Sequence, residues 1–183
     1  MENLETKNSR PSNLLLNDLI RFSKGFKKSS YLEIDFGEGD FISTLSPHFR
    51  SCYGIDLSQD NFNNLNRMFV EKKFKNSMVF CGDSSRIPMN KYDVVLIGKN
   101  KSYKEILIDT INVISKNINQ NPFLIVYNGY GILNSGANQF CDKFFKDFML
   151  VIGDKKQSEA VACAFDLNMK KKYLEILKNE YEQ

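Results

Sequence analysis

Apolar residues along the chain follow two rhythms. Short runs that are apolar at nearly every position recur at residues 31–36, 52–56, 78–81, 92–97 and 123–127. Between them lie longer stretches whose apolar residues return every third or fourth position, the period of a helix with one buried face. Leu15, Leu16, Leu19 and Ile20 mark the first helix, with Ser12 as its cap and a stop near Gly25. Phe41, Ile42 and Leu45 mark a second, ended by Pro47. A third carries Phe62, Leu65 and Phe69 behind the cap Ser58, and a fourth, from Ser102, carries Leu107, Ile111, Ile114 and Ile118. A further helix holds Phe140, Phe144 and Phe145, a stripe that with Phe148 reads as core. The last carries Leu174, Leu177 and Tyr181.

Strands alternating with helices, each strand nearly continuously apolar, imply a parallel sheet covered on both faces. Two more strands, at 149–152 and 160–165, flank the turn-like Gly153-Asp154-Lys155-Lys156 and predict an antiparallel hairpin. The expected fold is one doubly wound α/β domain. Its seven-stranded sheet is mostly parallel, and its last strand is an antiparallel insertion beside the fifth. The expected limits are a tail and helix at 1–28, the α/β unit at 29–168, and a C-terminal helix at 169–183 packed on the same unit.

Composition narrows the class only a little. A hydrophobic share of 42% supports an ordinary globular core. A net charge of +3 is too small to point to nucleic acid, and Lys170-Lys171-Lys172 reads as a solvated helix start. Cys52, Cys81 and Cys163 fall in apolar runs and Cys141 stands apart, without a C-x-x-C pair, so buried free thiols are expected. No signal-like or membrane-spanning run appears, and the protein is expected to be cytoplasmic.

The chemistry gathers where strands end. The first strand carries Glu33, then Asp35, and runs into a turn with Gly37 and Gly39, where a backbone without Cβ atoms passes close to a ligand. The second strand ends in Asp56, an acid placed to accept hydrogen bonds from ribose hydroxyls. The third ends in Cys81-Gly82-Asp83-Ser84. Ile42 stands where a dinucleotide motif wants its third glycine, which disfavours a dehydrogenase. Each feature also has a purely structural reading: a tight turn, a helix-start acid and an Asx turn. Tyr127, Asn128 and Tyr130 follow the fifth strand at its C-terminal end, where parallel sheets bind ligands, and are candidate substrate contacts. His48, after Pro47, reads as a surface residue.

From residue 30 to residue 167 the chain resembles the class I S-adenosylmethionine-dependent methyltransferases, in strand order and in the placement of these motifs. The resemblance implies S-adenosylmethionine as cofactor, held by Glu33, Asp35, Gly37, Gly39, Asp56, Asp83 and Ser84. Asp83 would take the adenine amino group. Asp35 stands where the family's first glycine belongs, and its carboxylate would face the ligand's own carboxylate. The chain is most similar to the small-molecule O-methyltransferases, of the catechol type and of sugar-modifying clusters. Their acids after strands four and five correspond here to Gly98 and Gly129, which predicts a metal-independent site. Lys101 falls where the catechol type has its lysine base. Lys99 beside it would lower its pKa and itself contact substrate; the plainer alternative is that both are solvated lysines at a helix start.

No Asn/Asp-Pro-Pro-Tyr sequence follows strand four, which sets aside the amino-methylating DNA enzymes. The expected partner is thus a small-molecule acceptor, a sugar or a phenol methylated on oxygen, with neither nucleic acid nor membrane. A second reading is a protein of this fold that binds a ligand or regulates and has lost catalysis, supported by Asp35, Gly98 and Gly129.

Overall fold

The computed structural model describes residues 12–24, 30–88, 92–98, 101–116, 123–127, 150–152, 160–164 and 170–182. In chain order these form α1 (Asn13–Lys24), β1 (Ser30–Ile34), α2 (Asp40–Leu45), β2 (Ser51–Asp56), α3 (Gln59–Glu71), β3 (Ser77–Cys81), β4 (Val94–Ile97), α4 (Tyr103–Lys116), β5 (Phe123–Tyr127), β6 (Leu150–Ile152), β7 (Ala160–Ala164) and α5 (Lys170–Tyr181). Two 3₁₀ turns, Ser46–His48 and Ser84–Arg86, follow α2 and β3.

The strands lie in the order β3-β2-β1-β4-β5-β7-β6. The first five pair in parallel, and β7 pairs antiparallel with both β5 and β6. The chain winds from β1 outward to β2 and β3, then returns to place β4 on the other side of β1. That reversal opens a crevice beyond the C-terminal ends of β1 and β4, where α/β sheets hold their ligands.

The continuous apolar runs have a simple cause, because alternate residues of each strand serve different faces. Leu32, Ile34, Val95, Ile97 and Leu124 pack with Leu107, Val113 and Ile114 of α4 and with Leu177 of α5. Tyr31, Cys52, Val94, Leu96 and Ile125 pack instead with Leu15 and Leu19 of α1, Phe41 and Leu45 of α2, and Leu65 and Phe69 of α3. The caps read from sequence are made: Ser12 Oγ accepts the Leu15 amide at 3.0 Å, and Ser58 Oγ accepts the Asn61 amide at 3.2 Å.

Several boundaries shift for physical reasons. β1 stops at Ile34, short of residue 36, because Asp35 takes a left-handed backbone with φ 63° and turns the chain out of the sheet. Tyr181 is exposed, so the buried side of α5 is made by Leu177 with Leu174 beside it. Cys52 is a buried free thiol as expected, whereas Cys81, on the outermost strand β3, is only half-buried. The Phe140–Phe148 stripe, Cys141, Asn128, Gly129, Tyr130, Lys99 and the 153–156 turn lie outside the described residues, as do the side chains of Tyr127 and Cys163.

Gly98 shows what the early turn at Asp35 demands. A Cβ on Gly98 would overlap the carbonyl oxygen of Asp35, and the Gly98 amide donates to Ile34 O at 2.7 Å. Backbone meets backbone there, so no flexible side chain can give way. Gly98→Ala is therefore expected to cost about 1–3 kcal/mol of stability, the usual range for overpacking, read by urea unfolding. A variant as stable as wild type would show that the two segments can part freely.

Candidate functional site

Three left-handed residues, Asp35, Gly37 and Gly39 (φ 63°, 56° and 80°), coil the chain between β1 and α2. The turn is tied to β2 by Asp56, which is only 3% exposed. Asp56 Oδ2 accepts the Gly37 amide at 2.8 Å and the Asn61 side-chain amide at 3.2 Å, while Oδ1 accepts the Ser58 amide at 2.7 Å. One carboxylate thus clamps the glycine turn and caps the approach to α3. The structural reading of Asp56 as a helix-start acid is realised, and Asp56 also lines the cleft above the sheet.

Asp83 likewise makes the Asx turn. Its Oδ1 accepts the Ser85 amide at 2.8 Å and a short hydrogen bond from the Ser85 hydroxyl. These bonds hold the exposed Asp83 carboxyl below its usual range. Ser84 is buried beneath it and its Oγ accepts from Asn112 Nδ2 at 2.7 Å. Lys116 donates to Ser85 O and Ile87 O at 2.7 and 2.9 Å, so two residues of α4 brace the loop after β3.

α4 begins at a reciprocal cap, in which the Ser102 amide donates to Glu105 Oε2 at 2.7 Å and the Glu105 amide to Ser102 Oγ at 3.3 Å. This cap sets Lys101 at the cleft rim and turns Glu105, Ile108 and Asp109 into the cleft. Together with Asn112 and Lys116 they form a polar stripe along one side of α4. The cleft brings together Asp35, Asp56, Asp83, Ser84 and Lys101 from the sequence candidates. Gly37, Gly39 and Glu33 are not among its lining residues; Glu33 is 1% exposed and accepts the Tyr31 hydroxyl at 3.1 Å.

Sequence reasoning missed Leu57, Glu105, Ile108 and Asp109. Leu57 is 66% exposed in the cleft, an apolar surface beside Asp56 and Asp83 suited to a flat heterocycle. Leu57 sits alone after a strand and has no periodic partner. Glu105 and Asp109, four residues apart on a predicted helix, did carry a spacing signal.

The acids around Lys101 shift it away from the behaviour expected of a base. Lys101 Nζ lies 3.2 Å from Asp109 Oδ2 and 4.0 Å from Asp35 Oδ2. Burial alone would lower the Lys101 pKa, but Asp109, Asp35 and Glu105 outweigh it and raise the pKa above the ordinary lysine value. The described acids thus favour the protonated form of Lys101; Lys99, expected from the sequence to lower this pKa, lies outside the described residues. The acids fare differently because one ammonium serves both. Burial raises Asp35 and Asp109, with Lys101 opposing it, and neighbouring carboxylates add to the rise in each. Asp109 Oδ2, buried, takes no well-formed hydrogen bond among the described residues, so the ammonium at 3.2 Å is its compensation. Glu33 is also raised, first by burial, against hydrogen bonds from Tyr31 and the Ile42 amide.

No helix among the described residues is long and apolar enough to cross a membrane. No protein-family model and no curated protein matches the sequence. Solved structures do match. A SAM-dependent methyltransferase from Aquifex aeolicus is 13% identical, with a TM-score of 0.59 over 85% of this chain and 93% of that one. A protein from Streptococcus mutans solved in complex with SAH is 12% identical, with a TM-score of 0.59 over 82% and 97%. An rRNA methylase from Streptococcus thermophilus is 8% identical, with a TM-score of 0.57 over 86% and 96%. Other matched chains are longer, and this chain spans about half of two of them (50% and 49%). The chain has the Rossmann-like fold of SAM-dependent methyltransferases. Identities this low establish the fold alone.

Three buried or half-buried acids with raised pKa values make stability depend on pH in a defined direction. Glu33, Asp35 and Asp109 bind their protons more tightly folded than unfolded, so folding takes up protons at pH values above the ordinary carboxyl range. Stability is then expected to rise as pH falls from neutral towards the ordinary carboxyl range, levelling off once the unfolded carboxyls are protonated too. Glu33→Gln keeps an acceptor for Tyr31 and should flatten this rise. A melting temperature that falls over the same range in wild type contradicts the assignment.

Proposed function

We propose that the chain binds S-adenosylmethionine in this cleft and transfers its methyl group to a small acceptor. The observation that carries the reading is the meeting of Asp56, Asp83 and the exposed Leu57 at the switch point of the sheet. Asp56 and the Gly37 turn would hold the ribose, Leu57 would lie against the adenine, and Asp83 would take its amino group. In the transfer, an acceptor lone pair attacks the methyl carbon opposite sulfur. The carbon–sulfur bond breaks, and its electron pair stays on sulfur as a neutral thioether. Such a reaction gains rate chiefly from alignment.

The finer reading is O-methylation of a sugar or phenol without a metal. It rests on the sequence frame after β4 and β5, and on Gly98, where the Asp35 carbonyl leaves no room for the side chain of an acid. Tyr127, Asn128, Tyr130 and Lys99 are proposed for the acceptor side, Tyr127 closing a strand that pairs with β4. With Lys101 held protonated, its proposed part is to stabilise negative charge on the acceptor. That same feature favours the second reading, a ligand-binding protein without turnover, because it removes the base nominated from sequence. Donor binding without transfer to any sugar or phenol would select it.

Titration calorimetry tests the cofactor reading. Asp83 is exposed and Asp83→Ala should leave the fold intact while weakening S-adenosylmethionine binding about tenfold or more, the loss of a hydrogen bond to a charged group. Asp56→Ala should weaken binding and also lower the melting temperature, because Asp56 clamps the Gly37 turn. Absence of binding by wild type at millimolar ligand, or unchanged affinity in Asp83→Ala, would sink the assignment.

A further inference from the structure

We infer that the cleft is charge-selective, with Asp35 making it hold the cationic methyl donor more tightly than the product of transfer. The inference rests on the methyl-donor reading above and adds to it a residue and a direction. Its basis is an inventory of charge. Among the described residues the cleft is lined by Asp35, Asp56, Asp83, Glu105 and Asp109, against one cation, Lys101. Asp56 spends its charge on amide donors, and Asp83 and Glu105 are likewise hydrogen-bonded by their own turns. Asp109 is 5% exposed and, without a well-formed hydrogen bond to Oδ2, draws the ammonium to 3.2 Å. That leaves Asp35 at 4.0 Å from the same ammonium, with a side chain 35% exposed.

Among the described residues Asp35 is thus a carboxylate short of a counter-charge, lining the cleft. Its place is held by a left-handed backbone at φ 63°, where glycine would be the easier choice. Burial disfavours its charged form, and a second cation in the cleft would relieve that. The methyl donor supplies one as its sulfonium, and transfer abolishes it, because the electron pair of the broken bond returns to sulfur. Donor and product differ in little else. The cleft would then release its product more readily than it holds its donor, which limits product inhibition.

The test is calorimetry of wild type, Asp35→Asn and Asp35→Gly with S-adenosylmethionine and with S-adenosylhomocysteine, at low and at high salt. Asparagine and glycine both accept the left-handed backbone, so the turn survives in either variant. Wild type is expected to bind the donor about tenfold or more tightly than the product at low salt, one charge acting over a short distance in a partly dry cleft. The ratio should shrink at high salt. In both variants donor binding should weaken towards that of the product, while product binding does not weaken. Product bound as tightly as donor by wild type, or a ratio unchanged in Asp35→Asn and Asp35→Gly, overturns the inference and leaves the methyl-donor reading standing. Failure of both ligands to bind wild type overturns both.

Discussion

The Asp56 carboxylate at the end of β2 accepts the Gly37 and Ser58 amides, and the cleft is built outward from that junction. A buried carboxylate with these donors is costly to disturb, because removing it leaves half-buried amides without their partner. The bond to Gly37 fixes where the turn after β1 stands relative to β2. The turn in turn brings the Asp35 carbonyl against Gly98, which sets where β4 hands the chain on towards Lys101. Three strand ends that are distant in sequence are thus held in one arrangement by one buried carboxylate and by the backbone contact at Gly98. Side-chain flexibility has little part in it.

On this frame the charges are distributed unevenly. α4 is anchored by its own cap and by Lys116 and Asn112, so it carries Glu105 and Asp109 into the cleft as a rigid face. Lys101, just ahead of that cap, cannot serve Asp35 and Asp109 equally. Burial opposes the charge of a lysine so placed, but both carboxylates favour its protonated form.

Much of the fold was legible because its signals are local and redundant. Apolar runs, caps at Ser12 and Ser58, and helical spacing each point to the same elements, and consistency of that kind makes a sequence readable. The Gly37–Gly39 turn, Asp56 and Asp83 were legible for the same reason, since each follows directly on a strand. What escaped depends on distance in the chain. Gly98 looks like a missing acid until the Asp35 carbonyl is seen beside it. Lys101 looks like a base when Lys99 is its only visible neighbour, yet the groups that govern it, Asp35 and Asp109, come from other turns of the structure. Leu57 is an exposed apolar residue like any other until the cleft forms around it.

The central claim is that a methyl donor occupies the space between the β1 turn, the end of β2, the loop after β3 and the start of α4. Hydrogen–deuterium exchange with and without saturating S-adenosylmethionine tests it most directly, because it reports where protection appears without relying on any substitution. Occupancy predicts slowed exchange concentrated in residues 35–39, 56–58, 82–87 and 101–109, with the outer strand β3 and helix α5 little changed. Protection confined to other segments, or no change under saturating ligand, would contradict the account.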